Sequence, residues 1–235
     1  MGKNTRIFWL LWCLCIVGAW ALIPYLYSSQ IVPSDSSKVL LFSLITMQAA
    51  VVFGIACWIS SKLIVKTDLH PFVFAQPMKT IVYPGILWGT VVSLTLFLFD
   101  HTLFSNSLLA NRHSSFWTGA LASIYGAVNE EVLMRLFLLT LFYFYFRKWF
   151  GVSRKSSLWV ATFIVAILFG VGHLPAAFKF GSPSSLEITR ILLLNGIAGV
   201  IFGWLYWSKS FWAALCAHFT ADIFLHALFN VMVCQ

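Results

Sequence analysis

Charge is what this chain has least of. Among 235 residues only 7 are acidic and 15 basic, so charged side chains make up 9% of the sequence. A soluble domain carries about 25%. Apolar residues account for 60%, and the mean hydropathy is +0.89. So few charges cannot cover that much apolar mass in water, which excludes a soluble enzyme, a nucleic-acid-binding domain and a disordered chain. The five cysteines, Cys13, Cys15, Cys57, Cys216 and Cys234, fall in apolar stretches, and no CxxC pair occurs. That supports neither a disulfide framework nor a metal knuckle. Internal repeats and long polar loops are absent as well, so 1–235 reads as a single integral membrane domain.

What is present is a series of long apolar runs. A membrane-crossing helix needs about 20 mostly apolar residues, and seven stretches qualify: 7–27, 39–61, 80–99, 116–146, 158–178, 191–207 and 211–233. The expected fold is all-α, a polytopic transmembrane helical bundle of seven spans with a cavity in the membrane. At about 1.5 Å per residue, 116–146 is too long for a core of about 30 Å, so it tilts, protrudes or divides to make eight spans. Lys3 and Arg6 before an apolar run imitate a signal peptide, but hydrophobicity continues through Tyr27, which points to an uncleaved first span.

The basic residues alternate with the spans. Lys3, Arg6, Lys62, Lys66, Lys79, Arg147, Lys148, Arg154, Lys155 and Lys209 fall on one side, against Lys38, Arg112, Lys179 and Arg190 on the other. Basic residues gather on cytoplasmic loops, so the N-terminus is expected in the cytoplasm. The net charge of +8 is then a by-product of topology. Compact length fits a bacterial inner membrane.

The fifteenth basic residue, Arg135, lies inside a span. So do Glu130, Glu131, His173, His218 and Asp222, with His226 one turn further. An ionisable group in lipid costs roughly 2.5–3.5 kcal/mol on insertion scales and marks a functional site by default. Glu131 and Arg135 are four apart, on one helix face, in the orientation that favours an ion pair. Glu130 is rotated about 100° from Glu131, so one arginine does not neutralise both. An unpaired carboxyl in an apolar site suits a general base. Phe169 and His173 are also four apart, as are His218 and Asp222. Each pair has a plain structural reading beside the chemical one: a core histidine bonded to a carbonyl, or a self-satisfying His–Asp pair. Three segments that all carry such groups point to convergence on a wet cavity. Counted along parallel helices, His173 and His218 differ in depth by about 12 Å, so convergence requires a stagger or tilt.

These residues resemble the motif set of the CAAX-protease and bacteriocin-processing (CPBP) family of glutamic intramembrane endopeptidases. EExxxR reads as Glu130-Glu131 through Arg135, FxxxH as Phe169 through His173, and the third pattern, HxxxN or HxxxD, as His218 through Asp222. Gly203-Trp-Leu-Tyr206 and Ser210-Phe-Trp-Ala-Ala214 are similar to the family's linking segments, so the likeness covers about 119–225. It implies a peptidase without metal or cofactor. Glu130 with His173 would activate water, and His218 with Asp222 would stabilise the oxyanion. Glu131, Arg135 and Phe169 would brace the site. Position 222 is Asp where the eukaryotic CAAX proteases have Asn. An ionised Asp cannot donate to an oxyanion, which favours a role in orienting His218. Leu136 follows Arg135 where many relatives carry glycine.

The implied partners are the bilayer and a membrane-associated protein or peptide, lipidated or a leader peptide in the family's known cases. Two other readings stand beside this one. Glu plus two His is also a zinc ligand set, although no HExxH is present and the ligands come from three segments. Buried acids also serve proton-coupled transporters, and a scaffold needs no chemistry at all.

Overall fold

Serine starts most of the helices. Ser37, Ser115, Ser153 and Ser210 each accept a hydrogen bond from a main-chain N–H of the following turn, and Ser184 forms a reciprocal capping box with Glu187. A side-chain oxygen there satisfies a donor that the helix leaves without a partner. Between apolar runs, it decides where each helix begins. The computed structural model describes residues 3–72, 77–105, 107, 115–179 and 181–229. Among them stand seven helices and no strand: α1 (Lys3–Ser28), α2 (Lys38–Ile64), α3 (Lys79–Leu103), α4 (116–150), α5 (Arg154–Phe178), α6 (Ser185–Ser208) and α7 (Phe211–Leu228). Six are long and apolar enough to cross a membrane, all but α4. The chain is an all-α polytopic bundle.

Helix α4 differs because its hydrogen-bond ladder changes pitch. Ordinary α turns at Phe116–Tyr125 give way to π turns at Gly126–Glu130 and Val132–Leu139, and α geometry resumes at Thr140–Phe150. The rod is continuous, so 116–150 is one element rather than two. Gly151, at φ +60°, closes it in the left-handed conformation that glycine adopts without strain.

The helices outrun the apolar spans expected from sequence. The gain is largest at α6, which starts at Ser185 rather than 191 because its capping box carries the helix through Glu187 and Arg190. Span 211–233 is described as far as residue 229. Arg112 and Cys234 lie outside the described residues.

The ends of the bundle sort as the charge alternation requires. At one end, Phe72 packs on Phe8 and Phe211, and Asp68 binds Tyr143 and Arg154. At the other, Asp100 pairs with Arg190, and Tyr25 meets His226. Residues 65–72 turn back beneath α7, whose first N–H, from Phe211, donates to the Pro71 carbonyl at 2.9 Å. In consequence Ser210, Phe211, Ala213 and Ala214 are at most 1% exposed. Helix α7 begins inside the bundle, not at its edge. His173 and His218 both come within 4.0 Å of Glu130, so the two segments do converge.

Small residues let the central helices close. A Cβ on Gly85 or Gly89 of α3 would collide with Cys216 or Ala217 of α7. Gly199 of α6 lies against Ala166 of α5 in the same way. Lipid supplies no hydrophobic drive between helices, so such close approach is what holds them together.

Candidate active site

The π turns of α4 carry Glu130, Glu131 and Arg135 into the centre. Glu131 and Arg135 are both fully buried, with Oε1 of the acid 2.8 Å from Nη1 of the arginine. Arg135 also donates to the Gly199 carbonyl of α6 at 3.3 Å. Its guanidinium lies 5.0 Å from the Phe169 ring centroid and 5.4 Å from that of Phe202. Two aromatic faces and one carboxylate thus hold a cation where water does not reach.

The same Glu131 oxygen accepts a 2.7 Å hydrogen bond from Nδ1 of His218, which is itself 3% exposed. That bond fixes the imidazole and turns Nε2 outward. The Phe202 ring stacks on it at 4.7 Å, and Phe169 meets it edge-on at 5.7 Å. From sequence, Asp222 was the expected orienting partner. The short bond comes instead from Glu131, because α7 approaches α4 with Nδ1 facing the buried ion pair. Asp222 stands on the other side of the ring, its Oδ2 3.5 Å from Nε2.

His173 makes the carbonyl bond expected of a structural histidine and still has one nitrogen facing Glu130. Nδ1 donates to the Phe169 carbonyl at 2.8 Å, and Nε2 is left pointing at Glu130. Glu130 therefore faces two imidazoles, with oxygens 4.0 Å from Nε2 of His173 and 3.6 Å from Nε2 of His218. Both separations exceed a hydrogen bond, so the carboxylate is close to both rings and bonded to neither. Its side chain is 22% exposed, whereas that of Glu131 is not exposed at all. The 100° rotation between adjacent residues has put two identical groups in different surroundings.

Gly126 makes this approach possible. A Cβ there would stand 3.2 Å from Nε2 of His218 and collide with the Asp222 carboxylate. A cavity of about 520 Å³ opens onto His173, His218 and Asp222, within the range of ligand-binding clefts. His226, half-exposed, lines it beside Asp222, with Nε2 3.9 Å from Oδ1. Among the described residues, no group of three His, Cys, Asp or Glu side chains is arranged to hold a metal ion.

Residues 112–232, just over half the chain, match the type II CAAX prenyl endopeptidase Rce1-like family. The chain belongs to that family. No curated protein and no solved structure matches it. Membership makes it an integral membrane endopeptidase of the CAAX-protease type, acting on protein or peptide substrates beside lipid.

Within this CAAX-protease site several contributors had no signal in the motifs. Phe202, which stacks on His218, precedes the glycine of the Gly203-Trp-Leu-Tyr206 segment and reads from sequence as ordinary core. Asn129 sits beside the EE pair, is fully buried, and donates to the Cys15 carbonyl of α1 at 2.7 Å. Asp100 and Arg190 fell one residue outside the expected spans 80–99 and 191–207. They form a bidentate pair at 2.5 and 2.7 Å on the cavity wall. Capping of α6 and the length of α3 place them inside the bundle, which hydropathy alone does not register.

Proposed function

We propose that the protein is a glutamic intramembrane endopeptidase. One observation carries the reading: Glu130, with no hydrogen bond to its carboxylate among the described residues, lies between the Nε2 atoms of His173 and His218 while Glu131 and Arg135 neutralise each other behind it. Glu130 takes a proton from a water held against His173, and the resulting hydroxide attacks the scissile carbonyl carbon. The oxyanion forms at Nε2 of His218, which acts as the imidazolium: its Nδ1–H is held by Glu131 and its Nε2–H stabilises the oxyanion. Glu130 then passes its proton to the departing amine as the C–N bond breaks. Asp222 aligns the cavity edge of His218. Glu131, Arg135 and Phe169 keep that ring in place. The substrate is a membrane-associated protein or peptide, lipidated or a leader sequence. The chain resides in a bacterial plasma membrane with its N-terminus in the cytoplasm.

The test is cleavage by the purified protein in detergent containing a strong chelator, alongside comparison of membrane proteomes from cells carrying wild type or Glu130→Gln. Glu130→Gln should lower turnover about 10²–10⁴-fold, the usual contribution of a positioned general base, with Tm unchanged and uncleaved precursors accumulating. Asp222→Asn should keep most of the activity, since the carboxamide can align His218 and also donate to the oxyanion. Full activity in Glu130→Gln would refute the assignment. Activity lost to chelator and restored by zinc would transfer the chemistry to a metal peptidase.

A further inference from the structure

An asparagine inside a membrane helix usually earns its place by tying two helices together, and Asn129 does so through the Cys15 carbonyl of α1. Asn195 does not. Its Nδ2 donates at 2.8 Å to the Ile191 carbonyl of its own helix, one turn back. That bond joins nothing to α6. The remaining amide hydrogen and Oδ1 have no partner among the described residues, and the side chain lines the cavity that reaches His173 and His218.

The position of Asn195 on α6 gives this a direction. Arg190, Ile191, Asn195, Ala198 and Phe202 follow one another at helical spacing along the cavity face. Phe202 stacks on His218 at the catalytic end, and Arg190 is held by Asp100 at the far end. Twelve residues of helix separate them, about 18 Å. An extended peptide advances about 3.3 Å per residue, so roughly five residues fit along this wall. A carboxamide offers one donor and one acceptor side by side, the complement of a peptide's own C=O and N–H. Neither a lipid tail nor an ion would use both.

We propose that Asn195 is a substrate-binding residue that hydrogen-bonds the main chain of an extended peptide lying along α6 between the scissile bond and the Asp100–Arg190 pair. The assignment rests on the peptidase reading and adds the part of the substrate that is recognised: backbone, a few residues from the cut, independent of side-chain identity.

The experiment presents purified wild type, Glu130→Gln, Asn195→Ala and Asn195→Asp with a library of short internally quenched peptides in detergent micelles. For the best-cleaved peptide, Asn195→Ala should raise KM about tenfold and leave kcat and Tm nearly unchanged. Asn195→Asp, which keeps an acceptor and loses the donors, should fall between wild type and alanine. Replacing peptide amides one at a time by esters should reveal a position where wild type loses a similar factor and Asn195→Ala loses nothing more. Equal ester penalties in both proteins at every position would overturn the proposal. So would an Asn195→Ala protein that is merely less stable, with KM intact. If folded wild type cleaves nothing in the library, or Glu130→Gln cleaves as fast, the peptidase reading itself fails and this assignment falls with it.

Discussion

Helices α1–α3 and α4–α7 are similarly apolar but differently placed. In the most apolar stretch of α2, 17% of residues are buried within the protein, against 44% in α5, although their mean hydropathies are 2.2 and 2.0. Val39, Met47 and Trp58 of α2 point outward, each more than 60% exposed. Hydrophobicity does not decide which helix is central, because an apolar side chain is as comfortable in lipid as in a protein core. What differs is polar content. Glu130, Glu131, Arg135, His173, His218 and Asp222 all belong to α4, α5 and α7, and α6 covers them with Gly199 and Phe202. In this molecule the charged groups organise the centre and the apolar ones follow.

That contrast can be broken from the inside. Arg135→Met strands Glu131 and removes the brace on His218, and loss of one partner from a buried pair costs about 3–5 kcal/mol. The variant should unfold at much lower temperature in detergent. Removing both charges, with Glu131→Gln added, should recover part of the stability but none of the activity, since Nδ1 of His218 then loses its charged acceptor. Thermal unfolding of the single and double variants measures the difference.

The joints between the halves should matter less. Asn129→Ala deletes the bond from α4 to the Cys15 carbonyl, and a buried neutral hydrogen bond contributes about 1 kcal/mol. A small fall in Tm, with activity reduced less than tenfold, is the expected result. Loss of all activity would mean that α1 helps shape the site and not only its surroundings.

The smallest effect belongs to the far end. Partial burial raises the Asp68 carboxyl, but hydrogen bonds from Tyr143 and Arg154 outweigh it and hold the group below its ordinary value. Both side chains of the Arg154 pair are about half exposed, at 51% and 50%, so the stabilisation is about 0–1 kcal/mol. A lowered carboxylate contributes in full above its unfolded pKa, near 4, and the contribution is lost as pH falls on through the lowered native pKa. Asp68→Asn should therefore lower Tm slightly at pH 7, less in high salt, and progressively less as pH falls through the lowered native pKa.

How far the sequence could be read follows from the same contrast. Seven apolar runs and the alternation of basic residues were visible because each is a local count. Glu130, Glu131, Arg135, Phe169, His173, His218 and Asp222 stood out because ionisable groups and i,i+4 pairs are conspicuous on an apolar background, and the structure brings them within one cluster. Two things were not legible. That Nδ1 of His218 faces Glu131 rather than Asp222 depends on how α7 is rotated against α4, which Gly126 permits but does not announce. Asp100 and Arg190 were assigned to loops because hydropathy falls at helix ends while the helix itself continues.

The π turns of α4 carry one further consequence. A π turn accommodates about one more residue than an α turn of similar length, so the stretch from Gly126 to Leu139 holds surplus chain. Deleting a single residue between 132 and 139 would let the rod relax to plain α geometry without interrupting it. Because the residue removed is the surplus one, the turns on either side would keep their places. Glu130 and Glu131 would stay where they are, Thr140 would stay on Tyr206, 2.7 Å away in the native protein, and Tyr143 on Asp68, while only the side chains of the shortened turn would be re-aimed. Residue count in α4 is thus forgiving in one place and strict in another: the π turns absorb the loss of a residue, whereas the same loss in the α turns at Thr140–Phe150 would rotate everything after it by about 100°.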